Sequence, residues 1–255
     1  MFVLDSAAVL LASGYGRVAP VWPANAAALA IMLRSPGPVR PVLLAAAAAA
    51  CLTANLAIGD AFTTALAYAA FNASEMGVVL LLFGRRFDRS ASVEPLPMFT
   101  RFAVAAAIAS LGSAGLAAAF AAATGGTAVT IFSTWFLADV LGLMTITPLL
   151  LSLTGPGRHR ALHAAMGRET ALIAVATVAV AAALFVQPAV PLILISPLLL
   201  LTGLRMPVRE TALTVLVVAA IGIVATMNGL GPIAHEMLGN ARILGCNCSS
   251  PRPRR

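Results

Sequence analysis

Charge is scarce in this chain, and one kind of it is missing: charged residues fill 10% of the 255 positions, and none of them is lysine. A soluble domain carries about 25% charged residues. Water alone is therefore excluded as the solvent of a sequence that is 60% hydrophobic. The 16 arginines against 9 acids leave a formal charge of +7, a balance that can signal nucleic-acid binding. Here, however, eleven of the arginines stand singly or in small groups between apolar runs, where inner-membrane proteins set cationic anchors against anionic headgroups. The expected partner is the lipid bilayer, not nucleic acid. Cysteine is as sparse. Cys51 lies in an apolar run and reads as a small core residue, while Cys246 and Cys248 form a lone CxC, too few ligands for a structural zinc site. The opening MFVLDSAAVLLASGYGR has no cationic stretch and carries Asp5, so it reads as a first span and not as a cleaved signal peptide. Internal repeats, phosphate loops and dinucleotide fingerprints are also absent.

What the sequence does have is apolar runs about 20 residues long from end to end. Loop arginines and Pro/Gly clusters should end each helix, because charge and unpaired backbone are costly in hydrocarbon. The predicted spans are 2–15, 19–33, 41–58, 61–83, 102–123, 130–153, 170–187, 189–204 and 210–228. The expected fold is an all-α polytopic bundle of eight to nine spans, some of them broken, with one membrane domain over 1–232 and an irregular, disordered tail over 233–255. With the N-terminus in the cytoplasm, Arg34, Arg40, Arg85, Arg86, Arg89, Arg101, Arg158, Arg160, Arg168, Arg205 and Arg209 fall inside, against Arg17 outside. That asymmetry predicts a multi-pass protein of the bacterial inner membrane with a cytoplasmic N-terminus.

Two spans look irregular. After Pro23 the second is too short to cross a core of about 30 Å, so Val18 to Pro23 is expected to enter as extended chain. Pro188, Pro191 and Pro197 predict a kinked or late-starting helix. In 102–123, Ser110, Gly112, Ser113 and Gly115 suggest close helix packing.

Polar residues inside spans are the candidates for chemistry. Asn72 and Glu75 are three apart, and Trp135 and Asp139 four apart, so each pair shares a helix face. Neither acid has a basic residue in its span, so at least one is expected to be neutral and to donate a hydrogen bond. Two readings stay open for them: a site for a small molecule, cation or proton, or interhelical hydrogen-bond glue. Trp22, Pro23 and Asn25 form a third candidate, on broken backbone or simply at the interface. Asn55 and Asp60 read as a surface asparagine or a helix cap. His159 and His163, four apart in a loop, lack further ligands, so no metal and no cofactor is expected. A nucleophile, base and orienting group cannot be assembled within the spans, so an enzyme is not expected.

The runs VWPANAAALAIML, FNASEMGVVLLLFGRR, WFLADVLGLMTITPLLL and SPLLLLTGLRMPVRETAL resemble, in order and approximate spacing, the first type of membrane-associated sensor domain, the MASE-one family, over about residues 15–232. The most specific elements are VWPxN and WxxxDxxG. The resemblance implies a multi-spanning sensory input module that passes a signal through its last helix to a cytoplasmic diguanylate cyclase, phosphodiesterase or histidine kinase. It also implies that Trp22, Pro23, Asn25, Asn72, Glu75, Trp135, Asp139 and Gly142 match the family's recurrent polar and small residues. The tail stands where an output domain would follow, so a module truncated or frameshifted before that domain is expected. The competing expectations are a small transporter with a midplane acid and a subunit docking another membrane protein. An unknown small ligand, another membrane protein or a second copy in a homodimer are the expected partners.

Overall fold

The computed structural model describes residues 23–85, 87, 88, 95–154, 167–187 and 195–231. Every regular element among them is helical, and they fall into two compact units, Met1–Ala164 and Ala165–Arg255.

In the first unit, α1 (Pro23–Arg34) leads through a 3-10 turn (Gly37–Val39) into α2 (Arg40–Ala57). Helix α3 (Phe62–Val79) ends in a π-helical turn (Leu80–Gly84), and α4 (Leu96–Ala123) and α5 (Ala128–Thr154) follow. Glycine sets two of the outer turns. Gly59 and Gly125 have φ of 92° and 82°, and the next residue donates back to the last helical turn, Asp60 to the Asn55 carbonyl (3.1 Å) and Gly126 to that of Ala121 (2.7 Å). This is the left-handed C-cap that closes a helix at low steric cost. Neighbouring helices pack in the order α2, α3, α4, α5, α1, and α1 also touches α2, so the ring closes.

Helix α1 is the shortest of the five and the most enclosed. Its 12 residues rise about 18 Å, too little to cross a bilayer, yet eight of them are buried, among them Asn25, Leu29, Met32 and Leu33. Leu29 and Leu33 pack with Phe83, Phe102, Leu143 and Leu151 in the main apolar core. The outer faces of the ring are apolar as well: Val42, Leu66, Leu81, Leu116 and Leu137 are exposed. A soluble protein rarely exposes so much contiguous apolar surface, whereas lipid is a good solvent for it.

In the second unit, α6 (Arg168–Val186) pairs with α8 (Val208–Met227), and α7 (Ser196–Arg205) rests against both. Ala181, Ile195 and Val218 form its core, and Arg205 meets Glu169 at 3.0 Å.

Six helices among the described residues are long and apolar enough to cross a membrane: Gly37–Ala57, Phe62–Gly84, Leu96–Ala123, Ala128–Thr154, Arg168–Val186 and Val208–Thr226. The eight to nine spans expected from the sequence are not reached. Within 19–33 and 189–204 the described residues form the short helices α1 and α7, and 2–15, 19–22 and 189–194 lie outside the described residues. Helix α7 carries Pro197 in its first turn; Pro188 and Pro191, on which the kinked or late-starting reading also rests, lie outside the described residues. Two boundaries and one packing assignment need correction. Pro23 begins α1 and is not extended chain, since proline's fixed φ suits a first helical turn; Val18 to Trp22 lie outside the described residues. Helix α4 starts at Leu96 and carries Arg101 within it, because Pro95 and Pro97 set its first turn and a guanidinium near a helix end can reach the headgroups. Gly112 and Gly115 meet nothing within 4 Å where a Cβ would stand, so the close approach on α4 belongs to Ser110, Ser113 and the buried Ala106, Ala109, Ala114 and Ala117.

Candidate ligand site

The polar residues of the first unit converge. Four helices each place polar side chains at about the depth of Glu75, which is fully buried on α3. Helical spacing puts Asn72 one turn before it on the same face. Asn25, near the start of α1, donates from Nδ2 to both, 2.8 Å to Glu75 Oε2 and 3.0 Å to Asn72 Oδ1. Ser110 of α4 donates to Glu75 Oε1 at 2.6 Å, so both carboxyl oxygens accept hydrogen bonds from neighbouring helices.

The α5 side is built by Trp135 and Asp139. Trp135 donates its indole N–H to Ser113 Oγ at 2.9 Å and packs edge-on against Tyr68 and Phe71, with ring centres 5.2 and 6.2 Å away. Asp139, 4% exposed, is buried beside Glu75 and Trp135. Its Oδ2 is buried with no hydrogen-bond partner. Among the described residues no arginine or histidine forms an ion pair with either acid.

The network extends to α2. Asn72 Nδ2 donates to Cys51 Sγ at 3.2 Å, and Asn55 donates to the Cys51 carbonyl at 2.8 Å. Asn55 is therefore a buried member of the cluster, which corrects its reading as a surface or capping residue. Asp60 does not cap α3 either, since Ala61 holds that position with no side-chain cap bond. Each interhelical hydrogen bond of this kind contributes roughly 0.6–2 kcal/mol in a membrane.

Of the residues singled out in the sequence, Asn25, Asn72, Glu75, Trp135 and Asp139 are brought together. Pro23 opens α1 two residues before Asn25, and Gly142 is buried one turn past Asp139 on α5; Trp22 lies outside the described residues. The sequence reading missed Cys51, Asn55, Ser110 and Ser113 as members of the site. His159, His163, Cys246 and Cys248 also lie outside the described residues.

Arginine side chains gather at the other end of this unit. Arg40 donates to the carbonyls of Met32, Leu33, Ser35 and Gly84. Arg34 donates to the Leu151 carbonyl and to Thr154 Oγ1. The two guanidiniums thus tie the C-terminal ends of α1, α3 and α5 to one another, where helix dipoles favour positive charge.

The sequence profile of a known family, described as MASE1, matches residues 2–243. No curated protein and no solved structure matches the chain.

Proposed function

The chain belongs to the MASE1 family of membrane-associated sensor domains, and from that premise we propose that the cluster around Glu75 and Asp139 is where its stimulus meets the bundle. Membrane sensory input is the family's role. The proposal adds the site, the orientation and the output. One observation carries it: two acids from different helices are buried together without a basic partner, and one of their oxygens has no hydrogen bond. Buried acids held only as glue would be expected to satisfy every oxygen, since an unmade buried bond is expensive. A site that takes up and releases a ligand needs a group left to receive it.

The route outward follows from α1. This short helix is bonded at one end to Asn72 and Glu75 through Asn25, and at the other to α3 and α5 through Arg34 and Arg40. A ligand that alters the bonds of Glu75 therefore acts on an element whose far end joins the arginine-bearing ends of its neighbours. We place that end in the cytoplasm of a bacterial inner membrane by the distribution of arginine, and read the chain as a non-enzymatic input module for a cytoplasmic signalling domain.

Two experiments test this. Reporter fusions after Arg85 and after Gly125 should report cytoplasm and periplasm respectively, and the reverse would reject the orientation. The chain joined in frame to a diguanylate cyclase reporter should change its output when Glu75→Gln or Asp139→Asn is introduced at equal membrane abundance. Output unchanged by both substitutions would return the acids to a purely structural role.

A further inference from the structure

We infer that the Glu75–Asp139 pair binds a small monovalent cation of sodium's size, an inference that rests on the cluster being the module's ligand site. Glu75 accepts hydrogen bonds on both oxygens, one of them at 2.6 Å from Ser110, which is the pattern and length of an ionised carboxylate with a hydroxyl donor. Asp139 is buried beside it, and two buried carboxylates repel each other unless something positive stands between them. One proton shared by the pair still leaves a net charge of −1. Among the described residues no arginine or histidine pairs with it, and an uncompensated charge at this depth is costly.

The groups around the pair define what can supply the balance. Carboxyl, amide and hydroxyl oxygens dominate, from Asn25, Asn72, Glu75, Ser110 and Asp139, and hard oxygen donors select hard cations over transition metals. No group of three or more His, Cys, Asp and Glu that could hold a metal occurs among the described residues. A single positive charge matches the single negative one, and Asp139 Oδ2, buried and without a hydrogen bond, is a ligand atom not committed to protein.

A pocket of about 370 Å³ is lined by Thr64, Tyr68, Phe120, Thr124 and Thr127. It sits at the start of α3 and the α4–α5 turn, the end of the unit away from Arg34 and Arg40. Its hydroxyls carry no positive charge to repel a cation. Tyr68 packs on Trp135, whose faces add a favourable cation–π field beside Asp139.

The test uses the full chain in lipid nanodiscs with Trp22→Phe, which leaves Trp135 as the sole tryptophan of the original two. Its emission and the melting temperature are followed as sodium chloride replaces choline chloride at constant ionic strength. A saturable emission change and a rise in Tm with sodium are expected, with potassium weaker. Glu75→Gln and Asp139→Asn should each weaken the apparent affinity about tenfold or more, the loss of a charged ligand. Asp139→Asn carries the test if Glu75→Gln does not fold, because Glu75 is the acid that holds Asn25 and Ser110. The inference is overturned if choline reproduces the response, or if the sodium response survives both substitutions. It is also overturned if a pH titration without sodium produces the whole change and sodium adds nothing, for then the ligand is a proton alone. None of these outcomes alters the cyclase-reporter result, so the cation and the sensory site fail separately.

Discussion

Arg40→Gln should destabilise the first unit by about 2–3 kcal/mol. The wild-type guanidinium reaches four carbonyls, that of Gly84 at 2.8 Å and those of Met32, Ser35 and Leu33 at 3.1, 3.3 and 3.4 Å. The shortest bond is charge-assisted and worth about 1.5–3 kcal/mol. The other three are long and share two nitrogens at a half-buried end where water competes, so together they add about the 0.3–1 kcal/mol of a cation at a helix C-terminus. The sum spans about 1.8–4 kcal/mol, and its middle, about 2–3 kcal/mol, corresponds to about a 30- to 150-fold change in the unfolding equilibrium. SDS-driven unfolding in mixed micelles, followed through Trp135 in a Trp22→Phe background, reads this unit by itself. Arg40→Lys should recover less than half of the loss, because one ammonium cannot reproduce a planar fork that reaches both Gly84 and the end of α1. A change within about 0.5 kcal/mol for Arg40→Gln, the usual range of surface substitutions, would refute the clamp. Complete rescue by lysine would show that charge, and not the fork, is what counts.

In the second unit, a Cβ at Gly222 would stand 2.8–3.2 Å from the Phe185 ring, so Gly222→Ala should cost about 1–3 kcal/mol through overpacking. Thermal melting should show this loss while Trp135 emission stays unchanged. Thr147→Val keeps the side-chain shape but removes the 3.0 Å bond to the Ala26 carbonyl, and a loss of about 1 kcal/mol is expected by the same SDS titration. Gly112→Ala adds a methyl group that meets nothing and should be neutral or stabilising by up to about 1 kcal/mol. If cross-linking shows a dimer that this substitution disrupts, the glycine face of α4 is where a second copy packs.

Much of the fold was legible because its punctuation is chemical. Arg34, Arg40, Arg85, Arg168, Arg205 and Arg209 lie at or beside helix ends, and Gly59 and Gly125 close α2 and α4 as left-handed caps. Where punctuation conflicted, the reading erred. Arg101 looked like a boundary, whereas Pro95 and Pro97 begin α4 almost two turns earlier, since a proline starts a helix more firmly than one guanidinium ends it. Six spans stand among the described residues against the eight to nine expected. Hydropathy scores α1 and α7 like their neighbours, although the described part of each is too short to cross.

The site was half legible. Spacings of three and four placed Asn72 with Glu75 and Trp135 with Asp139, because polar side chains one turn apart on an apolar helix must share a face. The partners on α2 and α4 were hidden, since both helices are apolar on every side and no polar face marks which way they turn. Ser110 and Ser113 therefore resembled the small residues that let helices approach, and Asn55, close to a helix end, resembled a cap. What distinguishes them is burial: Ser110 is 0% exposed and Ser113 1%, whereas Gly112 between them faces outward. In lipid the outward surface of a helix is as apolar as its core, so the periodicity that marks an inward face in a soluble protein carries no signal here. Direction has to be read from the polar atoms alone, each of which turns toward whatever can bond it.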